Sequence, residues 1–245
     1  ATNTPEVSGS TQTSVDASTQ QNANTSNNDV SIDNTPDHDD AEDYQWDSAS
    51  LVEIRLDGTA ISADSAAVRI DGSKATITAA GSYSLSGNLT DGQINVDTSD
   101  EGIVRLILIG VDIKNSTSAA INVINADEAQ IVLADNSVNM IEDGSDYVFA
   151  SAEEDEPNAA IFSKDNLTIS GNGALTVNAH YNDAIASRDG LVITGGTISV
   201  DAADDGIRGK NYLVIKAGTL VVTAQGDGLK SDEIEDATQG YIAVE

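Results

Sequence analysis

Residues 204–207 read Asp-Asp-Gly-Ile, and the pattern recurs 22 residues later as Gly-Asp-Gly-Leu at 226–229 and 22 residues earlier as Asn-Asp-Ala-Ile at 182–185. Two further pairs of runs share this spacing: 191–193 with 213–215, and 197–200 with 219–222. A fixed period of roughly 20–50 residues is typical of a solenoid, whose units must stack to bury their apolar faces. Short β-branched runs broken by Gly, Asp and Asn have no helical period. The repeats therefore predict an all-β chain folded as a parallel β-helix.

The apolar position of Ile185 can be followed toward the N-terminus. Its equivalents are Ile161, Ile121, Ile94 and Val68. Their wider and less regular spacing indicates longer turns, because insertions are accepted in turns and not in a stacked core. The sequence therefore predicts a solenoid of about seven coils over residues 51–245.

Residues 1–50 differ in composition and are predicted to be an acidic low-complexity tail or linker. They contain no Lys or Arg and are rich in Ser, Thr, Asn and Gln. Such a segment cannot bury enough apolar surface to offset its ordering entropy, which predicts disorder, with docking on the body or a partner as the alternative. Tyr44 and Trp46 are its aromatic residues. We expect them to cover an apolar end of the solenoid, with sugar binding as the alternative.

The net charge of −30, with 41 acidic and 11 basic residues, narrows the function classes. It argues against nucleic-acid binding and against anionic membranes, since both need clustered Lys and Arg. No apolar run approaches the length of about 20 residues that a membrane span requires, so no membrane insertion is expected. The absence of cysteine excludes disulfides and thiolate metal sites. We expect a soluble protein in an extracellular setting, secreted or attached to the cell surface.

The repeats stack acidic residues into a column. Residues one period apart lie about 4.8 Å apart in adjacent parallel strands. The aligned residues are Asp183, Asp205 and Asp227, with Asn182 and Asp204 beside them. Adjacent bare carboxylates would repel one another by roughly 3 kcal/mol per pair. Oxygen ligands without Cys or His favour Ca²⁺, which predicts a calcium site; the alternative is that Asp-Gly only forms the turn.

Basic residues follow the same turn in two shorter columns. They are Lys164, Arg188 and Lys210 in one column, and Arg208 and Lys230 in the other. Cations beside Ca²⁺ would suit a polyuronate, whose carboxylates bind both Arg and metal. Alternatively, these side chains only neutralise the aspartates.

No conventional catalytic constellation is present. His180 stands alone and is predicted to be a polar turn residue, and no nucleophile elbow or phosphate-binding loop occurs. We therefore predict no catalytic residues and favour a binding protein over an enzyme. The acidic insertion 142–157 is either a solvated loop or a wall beside a binding surface.

Three segments resemble a bacterial secreted family of carbohydrate-binding β-helix proteins shaped like pectate lyases. They are residues 158–165, 204–212 and 226–232. The resemblance implies a right-handed parallel β-helix, bound calcium, and affinity for cellulose and pectin-like polygalacturonate without established lyase activity. It places calcium near Asp183, Asp204, Asp205 and Asp227. Ala184 departs from the Gly found in the later copies and puts the first site in doubt.

The sequence thus predicts a calcium-binding extracellular protein that recognises acidic or cellulosic polysaccharide. Two alternatives remain. A calcium-dependent polysaccharide lyase would use Arg188 or Lys210 as its base. A filament or matrix subunit would assemble head to tail as a homo-oligomer through the ends of the rod.

Overall fold

A computed structural model describes residues 37–245, and it is all-β apart from two short 3-10 helices at Ala41–Tyr44 and Ser48–Ser50. The first strands are β1 Val52–Gly58, β2 Ala60–Ala63, β3 Val68–Asp71, β4 Lys74–Ile77, β5 Gly81–Leu89, β6 Gln93–Asp97, β7 Ile103–Asn115, β8 Ile121–Asn125, β9 Glu128–Leu133 and β10 Val138–Asp143. The remaining strands are β11 Ala159–Ser163, β12 Leu167–Gly171, β13 Ala174–Ala179, β14 Asp183–Ser187, β15 Gly190–Ile193, β16 Thr197–Ala202, β17 Ile207–Gly209, β18 Tyr212–Ile215, β19 Thr219–Ala224, β20 Leu229–Lys230 and β21 Tyr241–Val244. Among the described residues, no helix is long and apolar enough to cross a membrane.

The strands form two sheets, so the prediction of a single right-handed parallel β-helix of about seven coils is wrong. The larger sheet has 13 strands, ten of them in the order β19-β16-β13-β10-β7-β9-β12-β15-β18-β21. Strand β7 joins its two halves, because its first part pairs with β9 and its last part with β10. The second sheet has eight strands in the order β20-β17-β14-β11-β8-β6-β4-β3.

Two antiparallel pairs also depart from the predicted stack. Strand β1 pairs with β2, and β3 pairs with β4, each in antiparallel register. The second pair overturns one predicted alignment: Val68 lies opposite Ile77, while Ala75 of β4 stacks on Ile94. The 22-residue period exists only toward the C-terminus, so it could not indicate these hairpins.

The register predicted for the clear repeats is confirmed. Ile185 pairs in parallel with Ile161 on one side and with Ile207 on the other, and Ile207 pairs with Leu229. The three isoleucines are completely buried. Truncating one of them to alanine would remove buried apolar surface and leave a cavity, at a cost of about 2–5 kcal/mol.

Residues 37–47 lie against the outer face of the larger sheet. His38 makes side-chain hydrogen bonds of 2.8 Å to Thr168 on β12 and of 2.8 Å to Tyr212 on β18. The Tyr44 hydroxyl donates a hydrogen bond to the Thr194 hydroxyl. The guanidinium carbon of Arg105 on β7 lies 5.9 Å from the centre of the Trp46 ring. The two aromatic residues therefore lie in the middle of a ladder, and the expectation that they cover an end is wrong. Of the disordered tail predicted over residues 1–50, residues 1–36 fall outside the described part of the chain. Residues 37–47 dock on the body through His38 and Tyr44, which was the alternative.

Candidate functional site

The predicted aspartate column forms at the turn that leads into the smaller sheet. Asp183 is the first residue of β14, and Asp204 and Asp205 precede β17. Asp183 and Asp205 are buried, at 1% and 3% exposure, while Asp204 is exposed. One carboxylate oxygen from each of the three lies within 4.8 Å of the other two. Stacking in register thus brings together two of the three aligned aspartates, Asp183 and Asp205, and adds Asp204 from beside the column.

Backbone groups of each repeat bind the carboxylate of the repeat before. The Asp205 N–H donates to Oδ1 of Asp183 at 3.2 Å, and the Asp227 N–H donates to Oδ1 of Asp205 at 2.8 Å. Asn182 lies just before β14, where its amide donates to the carbonyl of Asn158 at 3.2 Å. Asp227 therefore contributes a backbone donor, and its carboxylate is outside the three-carboxylate group.

Two of the predicted basic residues lie beside this group. Lys230 Nζ is 2.6 Å from Oδ2 of Asp205, and Arg208 Nη1 is 3.8 Å from Oδ2 of Asp183. The Arg208 guanidinium also holds Asp232 through both carboxylate oxygens. The hydrogen bond between Lys230 and Asp205 raises the pKa of Lys230. Burial is the main cause that raises the pKa of Asp183 to about 6, against the lowering effect of its backbone hydrogen bond.

The group has the donors that calcium prefers. All three side chains offer oxygen, and neither Cys nor His contributes to the cluster. Gly226 leaves the necessary space, because a Cβ there would lie 2.4 Å from Oδ1 of Asp204 and 2.7 Å from Oδ1 of Asp205. A divalent cation would compete with Lys230 for Asp205. The residues therefore fit Ca²⁺ and would hold it through Asp183, Asp204 and Asp205.

The remaining predicted basic residues meet acidic partners that the sequence did not indicate. Arg188, after β14, forms an ion pair with Glu156, and Lys210, after β17, lies 3.0 Å from Glu233. Lys164, after β11, borders a surface depression lined by the acidic run 153–156. These partners come from turns outside the 22-residue repeat, so periodicity gave no signal for them.

An aromatic cluster lies next to the acidic group. The rings of Tyr147 and Tyr181 are stacked at 4.1 Å with an angle of 12° between them, and Phe149 packs against both at a tilt. Tyr147 also donates to the carbonyl of Ala159 at 3.1 Å, which ties the insertion to β11. The aromatic part of the insertion is therefore tied to the smaller sheet, while its residues 151–155 are exposed. The sequence analysis did not predict the contact of these aromatic residues with Tyr181, because Tyr181 lies in a turn that is distant along the chain.

Comparison with known proteins gives the family. The profile of a family described as "Carbohydrate-binding domain-containing protein" matches residues 71–245, which is more than half of the chain. The chain belongs to this family. The predicted resemblance to a bacterial carbohydrate-binding family is thereby confirmed at that level.

A relative and a solved structure are similar to this member of the carbohydrate-binding domain family. The relative, a "Carbohydrate-binding domain-containing protein" of Acetivibrio thermocellus, is 45% identical over 126 residues, which are 51% of this chain and 44% of the relative. The match thus spans less than half of the relative's length. The solved structure is the gadolinium derivative of the polysaccharide lyase-like protein from C. thermocellum, with a TM-score of 0.77, 37% identity and coverage of 79% of each chain.

The family match contains the whole candidate site. Every acidic, basic and aromatic residue described above between 147 and 233 lies inside the matched range. The segment 37–47 lies outside it. The site therefore lies within the part of the chain that matches the family.

Proposed function

We propose that this protein is an extracellular carbohydrate-binding protein that recognises acidic polysaccharide through a Ca²⁺ ion held by Asp183, Asp204 and Asp205. The supporting observation is the convergence of these three carboxylates in a chain of the carbohydrate-binding domain family. A net charge of −30 would repel a polyuronate unless cations mediate the contact.

The chemistry follows from the ligand needs of calcium. Ca²⁺ takes about 6–8 oxygen ligands, and three aspartates leave positions open for water, backbone carbonyls or the carboxylate of a uronate. Arg208 and Lys230 flank the group and offer hydrogen-bond donors of positive charge. A polyuronate would thus meet the metal and two cations at one surface.

A lyase is the second candidate, because the similar solved structure is described as polysaccharide lyase-like. The bases predicted for that reaction, Arg188 and Lys210, are both engaged with carboxylates, Glu156 and Glu233. Neither is free to take a proton from a sugar ring in this arrangement. Binding without cleavage is therefore the first proposal, and head-to-tail assembly remains an untested prediction.

Affinity electrophoresis on polygalacturonate, in calcium and in EGTA, tests the proposal. We expect retention with calcium, its loss in EGTA, and its loss in Asp204→Asn, while Asp71→Asn serves as an exposed aspartate control. Ultraviolet absorbance of unsaturated product, measured in the same mixtures, would reveal a lyase. If retention is unchanged both by EGTA and by Asp204→Asn, the metal-mediated contact is rejected.

A double variant tests the basic columns. Arg188→Ala combined with Lys210→Ala should weaken retention on polygalacturonate and leave retention on neutral cellulose unchanged, if these residues bind uronate carboxylates. Equal effects on the two polymers would assign Arg188 and Lys210 to charge balance with Glu156 and Glu233.

A further inference from the structure

A shallow groove runs across the ends of successive strands, and none of the residues that line it belongs to the acidic group. It consists of two depressions of about 520 and 340 Å³ that share His180. Residues lining it include Asp91, Lys114, Ser116, Glu142, Asn178 and Asp201.

The groove is long in the direction that crosses the strands. Its lining extends from the end of β5 past β7, β10, β13 and β16 to Gln225 after β19. Parallel neighbours are about 4.8 Å apart, so five steps make a length of about 24 Å. A cleft of this shape suits a linear polymer better than a small, compact ligand.

A charged network spans the middle of the groove. Glu142 accepts from Lys114 Nζ at 2.8 Å, and its other oxygen lies 3.4 Å from Nε2 of His180. The side chains of Lys114 and His180 are about half exposed, so both also face solvent. Exposed acceptors lie at Asp91 and Asp201. The groove therefore offers donors and acceptors side by side, with carboxylates in the majority.

Asp143 fixes the aromatic cluster to this groove. Its Oδ2 accepts from the Tyr147 hydroxyl at 2.7 Å, and its Oδ1 accepts from the His180 N–H at 2.5 Å. Tyr181, stacked on Tyr147, follows His180 directly and remains 36% exposed. A rigid aromatic ring beside polar groups is what a sugar ring needs for contact with its apolar face.

We propose that this groove is a second glycan-binding site, which takes a neutral linear glycan without a metal ion; the inference rests on the proposed carbohydrate-binding function. The carboxylates of Asp91, Glu142 and Asp201 repel a polyuronate but accept strong hydrogen bonds from sugar hydroxyls. Lys114 and His180 donate to hydroxyl and ring oxygens. The two sites thus divide acidic and neutral polymer between them.

Affinity electrophoresis in gels containing hydroxyethylcellulose and EGTA tests the groove separately from the calcium site. We expect the wild-type protein to be retarded. Tyr181→Ala should lose affinity about tenfold, Tyr181→Phe should keep it, and Asp201→Ala should weaken it about threefold. Asp71→Ala, an exposed aspartate on β3, is the matched control, and circular dichroism verifies that each variant is folded.

Two results would overturn the proposal: no retardation of the wild type, or equal retardation of the wild type, Tyr181→Ala and Asp201→Ala. Parallel gels with polygalacturonate and calcium separate this outcome from failure of the calcium site. Asp204→Asn should lose only the acidic polymer, and Asp201→Ala only the neutral one.

Discussion

Asp183 carries an electrostatic cost at neutral pH. Burial raises its pKa to about 6, above its usual value of 3.8. Because the folded protein holds this proton more tightly than the unfolded chain, the group contributes stability at acidic pH that is lost as pH rises from about 4 to about 6. A shift of that size corresponds to at most about 3 kcal/mol. A bound cation would offset this cost.

The first prediction concerns Asp183→Asn. The amide keeps an oxygen acceptor for the N–H of Asp205 and removes the buried charge. In EGTA at pH 7.5 the variant should be more stable than the wild type by about 2 kcal/mol, and at pH 4 the two should be equal. Denaturant unfolding at both pH values measures this. A variant that is less stable at pH 7.5 in EGTA would contradict the burial cost.

Lys230 acts as an internal counter-ion, and the second prediction follows from its contact with Asp205 at 2.6 Å. A calcium ion must displace or share this ammonium group. Lys230→Gln should therefore bind calcium about threefold to tenfold more tightly while the metal-free form loses stability. Titration calorimetry gives the affinity, with Lys74→Gln, an exposed lysine on β4, as control. Unchanged affinity would show that Lys230 leaves Asp205 open to the metal.

At the scale of elements, the 22-residue period predicted only the register of the strands that repeat. The ladder of Ile161, Ile185 and Ile207 follows from the spacing, because a buried face fixes strand register. Strand β7 has 13 residues and no counterpart one period away. The repeats therefore could not predict that β7 joins the ladder of β9 to the ladder of β10 in one sheet. The same limit applies to the site: the aspartates repeat, whereas Glu156 and Glu233 lie in irregular turns.

Segment 37–47 covers one stripe of the larger sheet. Thr168 and Val192 point away from the core residues beside them on β12 and β15, yet both are completely buried. Lys216 ties the segment down through Asp37 and Asp39, each at 2.9 Å. The segment therefore supplies the outer layer that these strands would otherwise lack.

The third prediction compares truncations before residues 37 and 48. Removing residues 1–47 should lower stability by a few kcal/mol relative to removing residues 1–36, because Thr168 and Val192 become exposed. Hydrogen exchange should increase in β12 and β15. Equal unfolding curves for the two truncated proteins would show that the segment contributes no stability.

Glu128 makes the attachment of this segment sensitive to pH, which gives the fourth prediction. Burial, and next the charge of Asp43, raise its pKa to about 8. Since the folded pKa lies above the usual 4.5, this contribution to stability is lost as pH rises toward 8. After correction for the pH dependence of intrinsic exchange, alkaline buffer should lower the protection factor of the Thr168 amide in the wild type but not in Glu128→Gln. The same pH response in both proteins would exclude Glu128 as its source.

At the scale of the whole molecule, the excess of 41 acidic over 11 basic residues means that any added salt relieves repulsion. A rise in melting temperature with calcium is therefore ambiguous unless screening is held constant. A site built from three convergent carboxylates differs from screening in two ways. It depends on the size of the ion, because Mg²⁺ requires a tighter octahedral geometry, and it depends on particular residues.

The fifth prediction uses both differences. Calcium at about 100 times its Kd should stabilise the wild type by about 2.7 kcal/mol, or several degrees, and EGTA should reverse this. Magnesium at matched ionic strength should give a smaller shift. The double variant Asp183→Asn with Asp204→Asn should respond equally and weakly to both ions, since only screening remains. If the double variant still gains as much from calcium as the wild type, the stabilisation comes from the diffuse acidic surface, and the acidic polymer must be recognised without a metal at this turn.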